Sequence, residues 1–231
     1  MVFKKITTKW AVLEKLDELK DLEALSGMAK YGITPENAFG IKIPILKEIS
    51  KNIGINHKLA LELWDLNYRE TRIIACMIDD PDVITESQLE KWVSDFDYWE
   101  ICDQCIMCLF EKTKYAYQKA VEWSNREEEF VKRAGYVMIA RLAVNDKKAD
   151  DEVFISFLPL ILKGASDNRN MVKKGVNWAL RQIGKRNLNL NKEAIMFGTE
   201  ILNLEYPSAK WIATDALREL KSEAVQNRLK K

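Results

Sequence analysis

Five stretches of this chain can be laid over one another, and that repetition limits the possible folds more than any single motif. They are ETRIIACMI (70–78), ICDQCIMCLF (101–110), VKRAGYVMIARL (131–142), VKKGVNWALRQI (172–183) and SAKWIATDALREL (208–220). Each sets a polar or charged residue ahead of an apolar run with helical period. The aligned positions are Arg72, Asp103, Arg133, Lys174 and Lys210, separated by 31, 30, 41 and 36 residues, close to the span of a helix pair with its turns. Other amphipathic stretches, such as SQLEKWVSDF and EVFISFLPLILKGA, lie between them. No run alternates as a strand would. The expected class is all-α: an α-solenoid of stacked helical pairs forming one domain over 1–231, with the repeated segments lining a concave groove. A compact helical bundle is the alternative.

Local signals agree with helices. No proline lies between Asp82 and Leu158. LEKLDELKDLEAL (13–25) sets Leu13, Leu16, Leu19 or Leu22, and Leu25 on one stripe. Thr34-Pro35-Glu36 reads as a helix start, and Thr85-Glu86-Ser87-Gln88 has the form of a capping box. Trp10, Trp64, Trp92, Trp123 and Trp211 are expected in the core. Cys76, Cys102, Cys105 and Cys108 do not read as a disulfide framework in a core-rich chain with no secretion signal; the last three fall on one side of a buried helix. His57 is the only histidine and reads as a surface cap or linker residue. No apolar run is long enough for a membrane span, and no secretion signal is visible, so a cytoplasmic location is expected.

Net charge is only +1, but it is unevenly spread. Residues 1–110 carry 13 Lys+Arg against 19 Asp+Glu, a net −6; residues 111–231 carry 23 against 16, a net +7. That asymmetry suits a polyanion on the second half, or uneven salt-bridged helix faces. In a solenoid, a repeated slot becomes a row in space. Arg72, Arg133, Lys174 and Lys210 would then track a phosphate backbone. Asp103 is out of place in such a row. Trp99 precedes it by four residues, on the same helix face. Trp178 follows Lys174 by the same interval, with Arg181 three residues on. A carboxylate among indoles and cations suits a developing positive charge, as in an oxocarbenium-like transition state. Asp103 is expected to be ionised at neutral pH unless strongly desolvated.

These residues also carry a family resemblance. Asp97-Tyr98-Trp99-Glu100-Ile101-Cys102-Asp103 resembles the aromatic-Trp-x-x-x-Asp stretch of AlkD-type DNA glycosylases. NWALRQIGKRN (177–187) is similar to the segment that supplies a second Trp and an Arg, and FVKRAGYVMIARL (130–142) to the one with a phosphate-binding Arg. MAKYGITPENAFGIKIPILKEISK (28–51) resembles the N-terminal signature, with an aromatic at Tyr31, and ELWDLNYRETRIIA (62–75) the second repeat. The resemblance runs in order from about Met28 to Arg218.

It implies a HEAT-like repeat fold and removal of cationic N3- or N7-alkylated purines from duplex DNA. The sequence shows no phosphate-binding Gly loop, metal-ligand set or Ser/His/Asp arrangement, so no cofactor is expected; a monomer, nucleoid-associated when bound, is the expected state. Trp99 and Trp178 would contact the lesion nucleotide. Asp103 would stabilise the sugar cation and position water. Arg133 would hold a phosphate, and Tyr31 would help close the site. Lys173, Lys174, Arg181 and Lys185 would contact the backbone. The family holds its lesion without a base-flipping pocket, in keeping with a shallow groove lined by indoles. Glu100, a second carboxylate beside the proposed site, departs from this picture. A non-catalytic binder of DNA structure and a protein-interaction solenoid are the competing readings.

Overall fold

Side chains placed at the helix starts set much of the local structure. The computed structural model describes residues 6–33, 35 and 37–230. Among them are fourteen α-helices and no strand. Contacts group the chain into two units, Met1–Lys114 and Tyr115–Lys231.

Unit 1 holds α1 (Lys9–Glu18), α2 (Leu22–Ala29), α3 (Ile43–Ile53), α4 (His57–Trp64), α5 (Arg69–Ile78), α6 (Glu86–Ser94) and α7 (Trp99–Cys108), followed by a 3-10 turn, Phe110–Lys112. Thr8, Asp21, Asn56 and Thr85 each accept a backbone N–H in the first turn of α1, α2, α4 and α6. Such caps contribute about 1 kcal/mol apiece. Helix α5 packs against α3, α4 and α7, and eight of its ten residues are buried. Beside it, Trp64 and Trp92 stack with centroids 4.1 Å apart and planes 3° from parallel. The Trp64 indole N–H donates to Asp95 at 2.7 Å, so that donor is paired despite its burial.

Several local expectations change here. The leucine stripe over 13–25 is two helices, because Asp21 caps a new start at α2; of its leucines only Leu16 is buried, and Leu22 is exposed. Trp10 is 69% exposed, not core. It lies two residues before Val12, and the buried face of α1 carries Val12 and Leu16. Thr85 does cap α6, but the Gln88 amide donates to Asp79 at 2.6 Å rather than closing a box. His57 opens α4 with Nδ1 2.6 Å from Asp79. Cys76 on α5 and Cys105 on α7 form a disulfide, with Cα atoms 5.3 Å apart, because adjacent repeated helices bring the two positions face to face. Cys102 is buried, as expected, while Cys108 is half-buried. Thr34 and Glu36 of the expected helix start lie outside the described residues, and Pro35 is in no helix.

Unit 2 holds α8 (Ala116–Ser124), α9 (Glu129–Asn145), α10 (Asp151–Gly164), α11 (Asn170–Gly184), α12 (Leu188–Leu202), α13 (Pro207–Leu220) and α14 (Glu223–Leu229). Helices α9, α11 and α13 pack in one row and α8, α10 and α12 in another, with α8 on α9 and α12 on α13. This is the pairing the repeats predict. Every repeated segment falls on α5, α7, α9, α11 or α13, and each aligned residue is the fourth or fifth of its helix. Arg186 ties the end of α11 to the α9–α10 connection by donating to the carbonyls of Ala143, Asp146 and Ala149, with its guanidinium 4.0 Å from the Phe154 ring centre.

Trp123 is fully buried, but Trp211 is 41% exposed. The buried face of α13 runs through Ile212, Ala213, Ala216, Leu217 and Leu220, which turns Trp211 outward with Pro207, Thr214 and Arg218. Helices α8 and α9 approach so closely at Gly135 that a Cβ there would sit 2.2 Å from the Ser124 nitrogen. Gly135→Ala is therefore expected to destabilise the fold by about 1–3 kcal/mol or more, because backbone must move. Gly27→Ala, with nothing within 4 Å of its would-be Cβ, is expected to be neutral or stabilising. Urea titration of the two variants measures the contrast.

Candidate nucleic-acid interface

In unit 1 the candidate residues rest on a buried ionic cluster. Arg69, at the start of α5, donates from Nε and Nη2 to the two carboxylate oxygens of Glu100 on α7, at 2.6 and 2.8 Å. Its Nη1 donates to Glu70 and to the Ile41 carbonyl, both at 2.8 Å. Glu70 accepts the backbone N–H groups of Phe39, Gly40 and Ile41 at 2.9–3.1 Å. All three side chains are buried, so each charge needs the others. Burial opposes charge on Arg69, yet the hydrogen bonds it donates to Glu100 and the charges of Glu100 and Glu70 hold its pKa above the ordinary guanidinium value.

The cluster fixes the 37–41 loop. The Arg69 N–H donates to the Asn37 carbonyl, and the Asp21 N–H to that of Phe39. Gly40 has φ +82°, and a Cβ there would lie 2.0 Å from the Asp21 carbonyl oxygen, so no other residue fits. Glu100 is thus neutralised by Arg69 and is not a loose second carboxylate beside Asp103. No repeat or motif marks Arg69 and Glu70; their one sequence signal is two adjacent opposite charges opening an apolar helix.

Trp99 is the first residue of α7, directly before Glu100, and is half-buried. Its indole N–H donates to the Tyr31 carbonyl at 2.8 Å. Two of the expected site residues, 68 positions apart, are thereby brought together. The Tyr31 side chain is 74% exposed. Asp103 lies one turn beyond Trp99 on α7 and is only 7% exposed. Behind them the buried Tyr98 hydroxyl has no hydrogen-bond partner among the described residues, and burial pushes its pKa up. Arg72 is turned to structure: its guanidinium lies 5.0 Å from the Trp64 ring centre, and it donates to the Asp95 carbonyl.

In unit 2 the remaining candidates divide by their surroundings. Arg133 on α9 is 6% exposed and donates from Nη1 to the Met171 carbonyl of α11 at 2.7 Å. Trp178 on α11 is half-buried, and the Gln182 amide, oriented by its donors, accepts from its indole N–H at 3.0 Å. Arg181 and Lys185 both reach Glu219 on α13, at 2.6 and 2.7 Å, so their charges are compensated. Lys174 is exposed, and Lys173 sits over the Trp211 ring with its ammonium 5.2 Å from the ring centre. Among the described residues no three His, Cys, Asp or Glu side chains gather as around a metal, and no helix is long and apolar enough to cross a membrane.

The sequence matches the family described as DNA alkylation repair enzyme over residues 12–222. A solved structure from a family of proteins related to the HEAT-like repeat DNA glycosylases, with affinity for branched DNA structures, superposes with a TM-score of 0.78 at 19% identity, covering 92% of this chain and 95% of that one. The fold is accordingly a HEAT-like helical repeat. No curated protein matches.

Two outcomes are expected from the charge geometry. Arg69→Ala leaves two buried carboxylates without their cation and should cost about 3–5 kcal/mol in unfolding free energy. Burial raises the Glu219 pKa, but its hydrogen bond to Lys185 and the charges of Arg181 and Lys185 outweigh that and hold it below the ordinary value. A pKa lowered by folding stabilises above the unfolded value, and the gain is lost as pH falls through the folded one. The stability gap between wild type and Glu219→Gln should be open at neutral pH and close progressively below a pH of about 4, read by urea titration at each pH.

Proposed function

Because the chain belongs to the DNA alkylation repair enzyme family, we propose that it is a DNA glycosylase that hydrolyses the N-glycosidic bond of cationic N3- or N7-alkylated purines in duplex DNA. The observation that carries this reading is on α7: an indole held to the Tyr31 carbonyl with the Asp103 carboxylate one helical turn on. Spacing of i and i+4 sets both side chains on one helix face.

The chemistry asks for little else. A purine alkylated at N3 or N7 already carries positive charge, so it leaves without a general acid. The C1′–N bond breaks with its electron pair going to the base, which becomes neutral. The sugar is left cationic, and the Asp103 carboxylate stabilises that charge. Water then adds to C1′ and gives up its proton, for which Asp103 is the acceptor. The products are a neutral alkylpurine and an abasic site. Trp99 supplies a flat, electron-rich face to the cationic base, an attraction of about 0.5–2 kcal/mol. Arg133, Trp178, Lys173 and Lys174 are the DNA contacts of unit 2, and the chain acts as a monomer on DNA in the cytoplasm.

A second reading is a binder of DNA structure without excision, favoured by the branched-DNA affinity of the structural relative. Release of 7-methylguanine and 3-methyladenine from alkylated duplex separates the two. Wild type is expected to release base, and Asp103→Asn to lose at least about 100-fold in single-turnover rate while still binding DNA, as for loss of one transition-state charge partner. Salt-sensitive DNA binding with no release by wild type sinks the enzymatic reading and leaves the second.

A further inference from the structure

The cations of unit 2 are unevenly compensated. Arg181 and Lys185 are paired with Glu219, and Arg218 with Asp215. Lys173, Lys174 and Lys210 have no carboxylate within ion-pair distance among the described residues. The two that flank Trp211 stand out: Lys210 precedes it on α13, and Lys173 reaches its ring from α11. The indole also borders a shallow hollow of about 540 Å³ lined by Pro207, Lys210, Thr214, Asp215 and Arg218. The carboxylate in that lining, Asp215, is engaged by Arg218 and lies 4.0 Å from Arg181.

We propose that Trp211, with Lys173 and Lys210, is a stacking site for an unpaired nucleotide of bound DNA, separate from the lesion contacts. The proposal rests on the DNA-binding part of the reading above and not on base release. Charge complementarity selects a polyanion: one uncompensated ammonium, of Lys173, lies over the ring, Lys210 lines the hollow beside it, and the nearby acid is neutralised. The flat aromatic selects which part of the polyanion. An intact duplex offers phosphates and groove edges but keeps its base faces stacked inside. An exposed indole finds a base face only where the strand is unpaired, at a tail, a flap or a junction. The cations then take the flanking phosphates. Trp211 keeps two-fifths of its surface in water, and the apolar face of α13 is filled without it by Ile212, Ala216 and Leu220.

The test is fluorescence anisotropy with the full chain, on a blunt duplex and on the same duplex carrying a single-stranded tail. Trp211→Ala should weaken binding to the tailed DNA about 10-fold or more and change blunt-duplex binding less than about 2-fold. Trp211→Phe, which keeps an aromatic face, should retain most of the tail affinity. Lys173→Ala with Lys210→Ala should weaken tailed binding and lower its salt dependence by roughly two phosphate contacts. Thermal melts of each variant show that the fold is kept.

Equal losses on both DNAs, or an unchanged tail preference in Trp211→Ala, overturn the proposal. If wild type releases alkylpurine and the tail preference ignores Trp211, this site alone falls. If wild type prefers tailed DNA through Trp211 but releases no base, the site stands and excision falls. Absence of any DNA binding overturns both.

Discussion

A guanidinium shared between two buried carboxylates holds unit 1 together. Arg69 closes a bidentate pair with Glu100, while Glu70 gathers three consecutive backbone N–H groups from the 37–41 loop. An ion cluster in a low-dielectric interior tolerates little displacement, since any lost partner leaves charge unsolvated. The loop after α2 and the start of α7 are therefore located by the same residue. Trp99 sits directly before Glu100, and its contact with Tyr31 joins the segments that the cluster aligns. Placement of the candidate site in this unit is a by-product of charge neutralisation in the core.

The helical pairing could be read from the chain because it depends on local periodicity repeated at a regular interval. Each of the five segments became a helix, and each aligned residue fell at the same depth in its helix. Trp99 and Trp178, singled out by their i, i+4 spacing, are half-buried rather than packed away. The Arg69 cluster was beyond such reading. Its partners lie 28–31 residues apart, and nothing in the local pattern distinguishes Glu100 as a structural acid from Glu100 as a stray one. The leucines of 13–25 misled because a strong cap at Asp21 outweighs a continuous apolar period.

Charge tells a similar story in unit 2. A sum over the sequence counts Arg181 and Lys185 as available cations, yet both are held by Glu219 from the next repeated helix. Lys173 and Lys210 count the same in the sum and are left uncompensated around Trp211. Pairing across helices, 34 or 38 residues apart, decides which charges a ligand would feel. Trp211 itself was assigned to the core by residue type. One residue of phase on α13, about 100° before buried Ile212, sets it outside.

The bond between the Trp99 indole and Tyr31 also limits what that ring can discriminate. Indole has a single donor and no acceptor. With the donor engaged by a main-chain carbonyl, anything laid against Trp99 meets only carbon and π electrons. Such a surface cannot read the hydrogen-bonding edge that separates adenine from guanine. In the proposed role it would sense flatness and positive charge, so selectivity at this ring would be indifferent to base identity and graded by how electron-poor the neighbouring heterocycle is.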